Sequence, residues 1–253
     1  SYLYLQTIFI VILRDNIFYH LFTMLDINFV FFHVGDVEQP RLLVRSIRKF
    51  NPDSNIYFIT DNETESIDGV TDTLRIECDR ENLMTSRLHA FSQLKMNKPA
   101  VYIDTDILII QPITSDLFIE HDVYLCLRSH QKDGLIDPAF RGLDLSEYSG
   151  KTFGEIYPFL ACFTYTKNYN FWEDCLETLN SLDKKFHFWY GDQEALRIIS
   201  DSKKYDMGYI DESVICTLPE FATTQEASYS VHFKGEERKK LMLNAAKSIL
   251  SDK

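Results

Sequence analysis

The sequence has few of the residues that build disulfide-bonded scaffolds or flexible linkers: only five cysteines, nine glycines and seven prolines in 253 residues. The cysteines are odd in number, widely spaced and free of any C-x-x-C pair, so they favour reduced, mostly buried thiols over a disulfide framework, with a zinc site as the minor alternative. This usage predicts a cytoplasmic protein. The cysteines are Cys78, Cys126, Cys162, Cys175 and Cys216.

Positive charge is also scarce. The chain carries 26 basic against 38 acidic residues, for a formal net charge of −12. Such a balance opposes non-specific attachment to nucleic acid and to anionic membranes. We therefore expect no nucleic-acid partner, although a local basic patch can still hold one small anion.

No apolar run is long enough to cross a membrane. The stretch from Tyr2 to Leu13 is about a dozen residues long, whereas a spanning helix needs about 20, and Arg14-Asp15-Asn16 interrupts it. It also lacks the charged start and the cleavage site of a signal peptide. Since Met24 precedes the first well-patterned strand, we predict a non-conforming extension over residues 1–23 and one domain over 24–253. The alternative is an interfacial anchor that makes the protein peripheral to a membrane.

Buried-type strands and amphipathic helices alternate in the first half of the chain. Apolar strands are predicted at 26–34, 55–60, 72–78 and 101–110, with helices from Gln39-Pro40 and over 82–96. This order predicts an α/β fold with a mainly parallel sheet flanked by helices. In the second half, strands are predicted at 123–127, 159–166, 207–210, 214–218 and 229–233, helices at 170–182, 191–199 and from 236, and an irregular flap at 131–151.

Two carboxylates, Asp104 and Asp106, interrupt the apolar run at 101–110. Burying unpaired charge is costly, so the pair requires a metal or a basic partner. Oxygen ligands suit Mg²⁺ or Mn²⁺, and an imidazole such as His232 favours Mn²⁺. The alternative is a pair of exposed acids that end a strand. Ligands of such sheets bind beyond the carboxyl ends of the strands, where His33, Asp36 and Asp61 are also expected.

Four short motifs occur in a recognisable order: SRL at 86–88, VYIDTDILIIQPI at 101–113, GDQEAL at 191–196 and HFKG at 232–235. Together they resemble the nucleotide-sugar glycosyltransferases of the GT-A fold, and most of all the retaining family 8 type, which includes glycogenin and bacterial galactosyltransferases. The resemblance extends over residues 26–240. It implies a Rossmann-like single domain of the GT-A type.

The resemblance also implies roles for individual residues. Asp104, Asp106 and His232 would hold Mn²⁺ or Mg²⁺ against the donor pyrophosphate, and Arg87 would reach the sugar and phosphate region. Asp192 and Gln193 match the family's Asp-Gln near the reacting sugar carbon, although Asp192 can equally be a helix N-cap. The donor-binding set would further include His33, Gly35, Asp36, Asp61, Thr105, Lys234, Gly235 and Arg238.

The sequence departs from the family pattern in two places. Arg238 stands where the family has lysine in H-F-x-G-x-x-K-P-W, and the Pro-Trp is absent, so Arg238, Lys234 and Lys239 are all candidates to neutralise the diphosphate. The family's Asn-x-Gly on the sugar side is replaced by the segment FLACF at 159–163.

These residues predict a metal-dependent transfer of a hexose from a UDP-sugar to a hydroxyl group, with retention. The acceptor would be a glycan, a lipid-linked sugar or a protein. Two alternatives stay open. One is a phosphatase of the haloacid dehalogenase type, which expects Thr or Val where this chain has Leu108. The other is a non-catalytic nucleotide-sugar binding protein, which the missing Asn-x-Gly would suit.

Overall fold

A seven-stranded mixed sheet forms the centre of the protein in the computed structural model, which describes residues 27–222 and 228–251. The strand order is β3-β2-β1-β4-β7-β6-β8, and β7 alone runs antiparallel to its neighbours. The seven strands are β1 (Asn28–Phe32), β2 (Ile56–Thr60), β3 (Asp72–Arg75), β4 (Ala100–Ile103), β6 (Val123–Leu127), β7 (Phe159–Thr166) and β8 (Met207–Asp211), and a separate pair is formed by β5 (Ile107–Ile109) and β9 (Ser230–His232).

Helices cover both faces of the sheet. They are α1 (Glu38–Phe50), α2 (Leu83–Gln93), α3 (Phe153–Ile156), α4 (Asn170–Ser181), α5 (Lys185–Phe188), α6 (Gly191–Asp201), α7 (Glu212–Ile215) and α8 (Glu236–Leu250). Because side chains alternate along a strand, Phe29 and Phe31 of β1 pack in the core layer that holds Leu43 of α1, while Val30 packs in the opposite layer with Leu88 of α2. The predicted α/β architecture, a mainly parallel sheet in a single domain, is confirmed.

The predicted strand at 101–110 is wrong in one respect, since it is two strands in two sheets. The chain leaves the main sheet after Ile103, turns through Asp104 to Asp106, and continues as β5. Strand β5 pairs antiparallel with β9, in a register that sets Ile107 opposite His232. This break brings the end of the chain back to the two acids.

The predicted strand at 214–218 is also wrong. Residues Glu212–Ile215 form helix α7, because the carboxylate of Asp211 accepts a hydrogen bond from the Ser213 amide at 2.8 Å and caps a helical turn. Extended structure in this segment is limited to a bridge between Thr217 and Val231.

The predicted flap at 131–151 is irregular, with short 3₁₀ turns at Phe140–Gly142 and Ser146–Tyr148. It packs its apolar residues on Tyr157 and Tyr190, whose rings stack at 4.8 Å. The predicted extension at 1–23 lies outside the described residues. Within the described ranges, no helix has both the length and the apolar character that crossing a bilayer requires.

Candidate metal and donor site

Main-chain hydrogen bonds fix both acids of the D-x-D turn. The Asp104 amide donates to the Cys162 carbonyl at 2.9 Å, and the Asp106 carbonyl accepts from the Phe233 amide at 2.8 Å. The first bond continues the antiparallel pairing of β4 with β7, which sets Ile103 opposite Phe163. On its other side β7 carries an irregularity, because its pairing with β6 shifts between Leu125 and Cys126 and passes over residues 161–163. Such bulges occur often beside functional sites.

Asp104, Asp106 and His232 converge at the edge where β4 ends. Their ligand atoms all lie within 4.8 Å of one another, and His232 Nε2 is 3.3 Å from Asp106 Oδ1. His232 Nδ1 is buried and makes no hydrogen bond within residues 27–222 and 228–251, although the thiol of Cys162 is near the ring. Two carboxylates and an imidazole at this spacing form a donor set that fits Mn²⁺ or Mg²⁺.

The two carboxylates differ electrostatically. Burial and the charge of Asp106 raise the pKa of Asp104 to about 6, against the opposing effect of Arg87. Burial also disfavours ionised Asp106, but the contact with His232 outweighs it and lowers the pKa of Asp106 to about 2. Although burial opposes it, the neighbouring Cys162 and then Asp106 raise the pKa of His232. The cluster therefore attracts positive charge, either a proton on the imidazole or a cation between the ligands.

Arg87 links the acids to helix α6. Its Nη1 donates to Asp104 Oδ1 at 2.8 Å and to the Ala161 carbonyl at 3.3 Å, and its Nε is 3.4 Å from Asp192 Oδ2. The side chains of Arg87 and Asp192 are only 10% and 3% exposed. The guanidinium is thus the basic partner of buried Asp192 and of Asp104, whose side chain is 28% exposed. Its predicted contact with a sugar or phosphate stays a prediction.

The start of α6 directs Asp192 and Gln193 inwards. Tyr190 has φ +61°, and Gly191 has no room for a side chain, because an added Cβ would lie 2.1 Å from the Phe186 carbonyl. The N-cap of this helix is Tyr190, so the alternative that Asp192 is the N-cap is wrong; Asp192 lies in the first turn, and its carboxylate accepts from the Gln193 amide at 2.8 Å.

Arg128 is a site residue that the sequence reasoning missed. It is 7% exposed, its Nη2 donates to Gln193 Oε1 at 2.7 Å, and its Nε donates to the Tyr157 carbonyl at 2.9 Å. Since a guanidinium can only donate, the bond fixes the amide of Gln193 with Oε1 towards Arg128. The available signal was a charged residue directly after the apolar strand β6, the same signal that identified the acids.

The residues predicted beside the base lie beyond β1 and β2. His33 Nδ1 is 3.3 Å from Thr105 Oγ1 and its Nε2 is 2.5 Å from the Asp36 carbonyl, while burial lowers the pKa of His33. The amide of Gly35 donates to Thr64 at 2.9 Å. An open cavity of about 490 Å³ adjoins them, lined by Gly35, Asp36, Val37, Arg41, Glu63, Thr64, Glu65 and Arg80.

Asp61 is bonded within the loop that follows β2. Its carboxylate accepts from the Thr64 amide at 2.8 Å and from Arg80 Nε at 2.7 Å. Although burial opposes it, the bonds from Thr64, followed by that from Arg80, lower the pKa of Asp61 to about 2. This carboxylate is largely occupied in holding the loop, and its predicted contact with a base stays a prediction.

The three basic candidates near the end of the chain differ in their partners. Arg238 pairs with Glu220, its Nε 2.9 Å from Oε2. Lys239 Nζ is 3.9 Å from Asp106 Oδ2, and half-buried Lys234 forms no ion pair among the residues described. Gly235 precedes α8 with φ +85° and ψ 158°, a conformation accessible essentially to glycine alone. Lys239 and Lys234 are thus better placed than Arg238 to meet an anion.

Solved glycosyltransferase structures share this fold. The galactosyltransferase LgtC, in complex with donor and acceptor sugar analogues, superposes with a TM-score of 0.58 at 12% identity over 90% of this chain and 98% of that chain. An LgtC active-site mutant in which glutamate replaces glutamine gives a TM-score of 0.54 at 14% identity, over 87% and 96% of the two chains.

The glycosyltransferase GlyE of Streptococcus pneumoniae TIGR4 gives a TM-score of 0.57 at 14% identity, over 89% of this chain and 62% of that chain. No protein-family model matches the sequence. A search of curated proteins also found no match. The chain thus has the fold of the GT-A glycosyltransferases of the family 8 type, as its motifs predicted.

Proposed function

We propose that this protein is a metal-dependent glycosyltransferase that moves a hexose from a UDP-sugar to a hydroxyl acceptor, with retention of the anomeric configuration. One observation carries the proposal: Asp104, Asp106 and His232 converge beside Arg87 at the ligand edge of a GT-A sheet. The acceptor class that we propose is a glycan, a lipid-linked sugar or a protein hydroxyl group.

The residues of the site would have different roles. Asp104, Asp106 and His232 would hold Mn²⁺ or Mg²⁺. When bound, the ion supplies positive charge that stabilises the leaving nucleoside diphosphate. Lys239, 3.9 Å from Asp106, and Lys234 would add positive charge on the same side. The cavity beyond β1 and β2, with His33 and Gly35 at its edge, would take the nucleoside.

Asp192 and Gln193 would face the sugar. Arg87 holds Asp192, and Arg128 holds the side-chain amide of Gln193, so both side chains are fixed before a substrate binds. One of the LgtC structures has its active-site glutamine replaced by glutamate, which is consistent with a functional glutamine in this fold. A fixed polar group at this place can stabilise the positive charge that develops on the sugar carbon.

Turnover of UDP-glucose and UDP-galactose with Mn²⁺ tests the proposal, measured as release of UDP with and without sugar acceptors. We expect Asp106→Asn to lower turnover by at least about 100-fold, since a metal supplies several kcal/mol of charge stabilisation. The control is Asp53→Asn, at an exposed turn. If Asp104→Asn and Asp106→Asn leave both turnover and UDP-sugar binding unchanged, the proposal is wrong. The anomeric configuration of the product, read by NMR, tests retention.

A further inference from the structure

Three of the five cysteines meet in a buried cluster behind the candidate site. Cys126 lies on β6, Cys162 on β7, and Cys216 directly follows α7. The Sγ atom of Cys216 is 3.5 Å from that of Cys126 and 3.6 Å from that of Cys162, and the three side chains are at most 3% exposed. All five cysteines of the protein are free thiols.

The cysteine cluster is built from the strands and the helix that lie beside the two acids. The pairing shift between Leu125 and Cys126 sets Cys126 opposite Leu160, two residues from Cys162 on the same strand. Helix α7, which replaces a predicted strand, ends at Ile215 and leaves Cys216 against both. Segments far apart in sequence thus bring three sulfur atoms to one point in the core.

The spacing of the sulfur atoms suits a soft metal ion. Zn–S bonds of about 2.3 Å in tetrahedral geometry hold sulfur atoms about 3.8 Å apart, which is within a few tenths of an ångström of the two measured separations. The three Sγ atoms all lie within 4.8 Å of one another. Thiolates select Zn²⁺ and Cu⁺ over the hard ions that carboxylates prefer.

Charged side chains of both signs lie near the cluster. Lys234, Arg128 and His232 act on its thiols as cations, and the carboxylates of Glu212 and Asp211 act on Cys126 with the opposite sign. Three thiolates carry more negative charge than one divalent ion neutralises, so nearby cations lower the cost of forming them in the core.

We propose that Cys126, Cys162 and Cys216 form a second metal site, which takes one thiophilic ion such as Zn²⁺ or Cd²⁺. The site is separate from the Asp104–Asp106–His232 set in donor chemistry. It is nevertheless joined to that set, because the Cys162 carbonyl accepts the hydrogen bond of the Asp104 amide.

Cadmium is the probe that tests the proposal, because thiolate-bound Cd²⁺ absorbs in the ultraviolet. The purified full chain, held in excess Mn²⁺ to occupy the hard-ligand site, is titrated with Cd²⁺, and bound metal is counted by mass spectrometry. We expect one Cd²⁺ per chain with three sulfur ligands by X-ray absorption. Cys216→Ser should weaken binding by more than about 100-fold, since loss of an outer-shell partner alone costs about 10–100-fold.

The matched control is Cys175→Ser, which changes a buried cysteine on α4 outside the cluster and should leave cadmium binding intact. Asp106→Asn should also leave it intact. Absence of thiolate-bound cadmium in the unmodified protein, or equal binding by Cys216→Ser, would overturn the proposal. If Cys216→Ser does not fold, the number of sulfur ligands around cadmium in the unmodified protein is the test. Fewer than three sulfur ligands would refute the proposed site.

Discussion

Removal of the Arg87 charge should destabilise the protein strongly. Arg87 is 2.8 Å from Asp104 and 3.4 Å from Asp192, and Asp192 is 3% exposed. The change Arg87→Met keeps most of the apolar volume but leaves two carboxylates without their cation. Breaking a buried pair in this way costs about 3–5 kcal/mol. Water reaches the Asp104 side chain, which is 28% exposed, and Asp192 would retain the amide of Gln193 as a donor, so we expect a value near the lower end.

The assay is urea unfolding followed by tryptophan fluorescence and circular dichroism, with coincident transitions as the condition for comparing free energies. A double-mutant cycle with Asp192→Asn isolates the interaction. The double variant should recover about 1–3 kcal/mol of the loss, because the amide needs no cation in the core. Arg87→Lys should lie between the wild type and Arg87→Met, since an ammonium cannot reach both acids as a planar fork does.

Two outcomes would refute this reasoning. One is an unfolding free energy of Arg87→Met within about 1 kcal/mol of the wild type, the size of an ordinary surface change. The other is a cycle in which Asp192→Asn adds its full cost to that of Arg87→Met, since the two side chains would then be independent.

Three further predictions concern neighbouring positions. Asp61→Asn should lose about 1–2 kcal/mol at neutral pH, discounted for solvent screening. Folding lowers the pKa of Asp61 from 3.8 to about 2, so the difference in unfolding free energy between the variant and the wild type should vanish as the pH falls through about 2. Unfolding curves recorded over a pH series test this, and an equal difference at both ends of the series would contradict it. Gly191→Ala should cost at least about 1–3 kcal/mol in thermal or urea unfolding, since its Cβ would meet the Phe186 carbonyl, and an unchanged midpoint would refute the steric argument. Arg128→Met should lower kcat about 10–100-fold with little change in the donor KM, because it frees the Gln193 amide, and an unchanged kcat would argue against fixing of that amide.

Much of the fold could be predicted from local pattern. Local pattern predicts the buried strands at 28–32 and 56–60 and helix α1, because continuous apolar runs and helical spacing depend only on residues close in sequence. The convergence of Asp104, Asp106 and His232 was reached only through motif order. No local pattern relates positions 128 residues apart between Asp104 and His232.

Three features were predicted wrongly or missed, for physical reasons that differ. The apolar run 101–110 is continuous in hydropathy, but the tertiary bonds of Asp104 and Asp106 divide it between two sheets. The β-branched run after Val214 favours a strand, yet one cap by Asp211 makes its start helical. Arg128 was missed because its importance depends on its bond to Gln193, 65 residues later. Long-range contacts decided the first and third cases, whereas the second depends on a cap between residues two positions apart.

Manganese binding tests the central claim most directly. In electron paramagnetic resonance, Mn²⁺ titrated in the presence of UDP should bind at one site per chain in the wild type and in Asp53→Asn. Binding should be lost in Asp106→Asn and in His232→Ala, which remove one carboxylate and the imidazole of the set. Undiminished manganese binding by both variants would contradict the assignment of Asp104, Asp106 and His232 as the metal site.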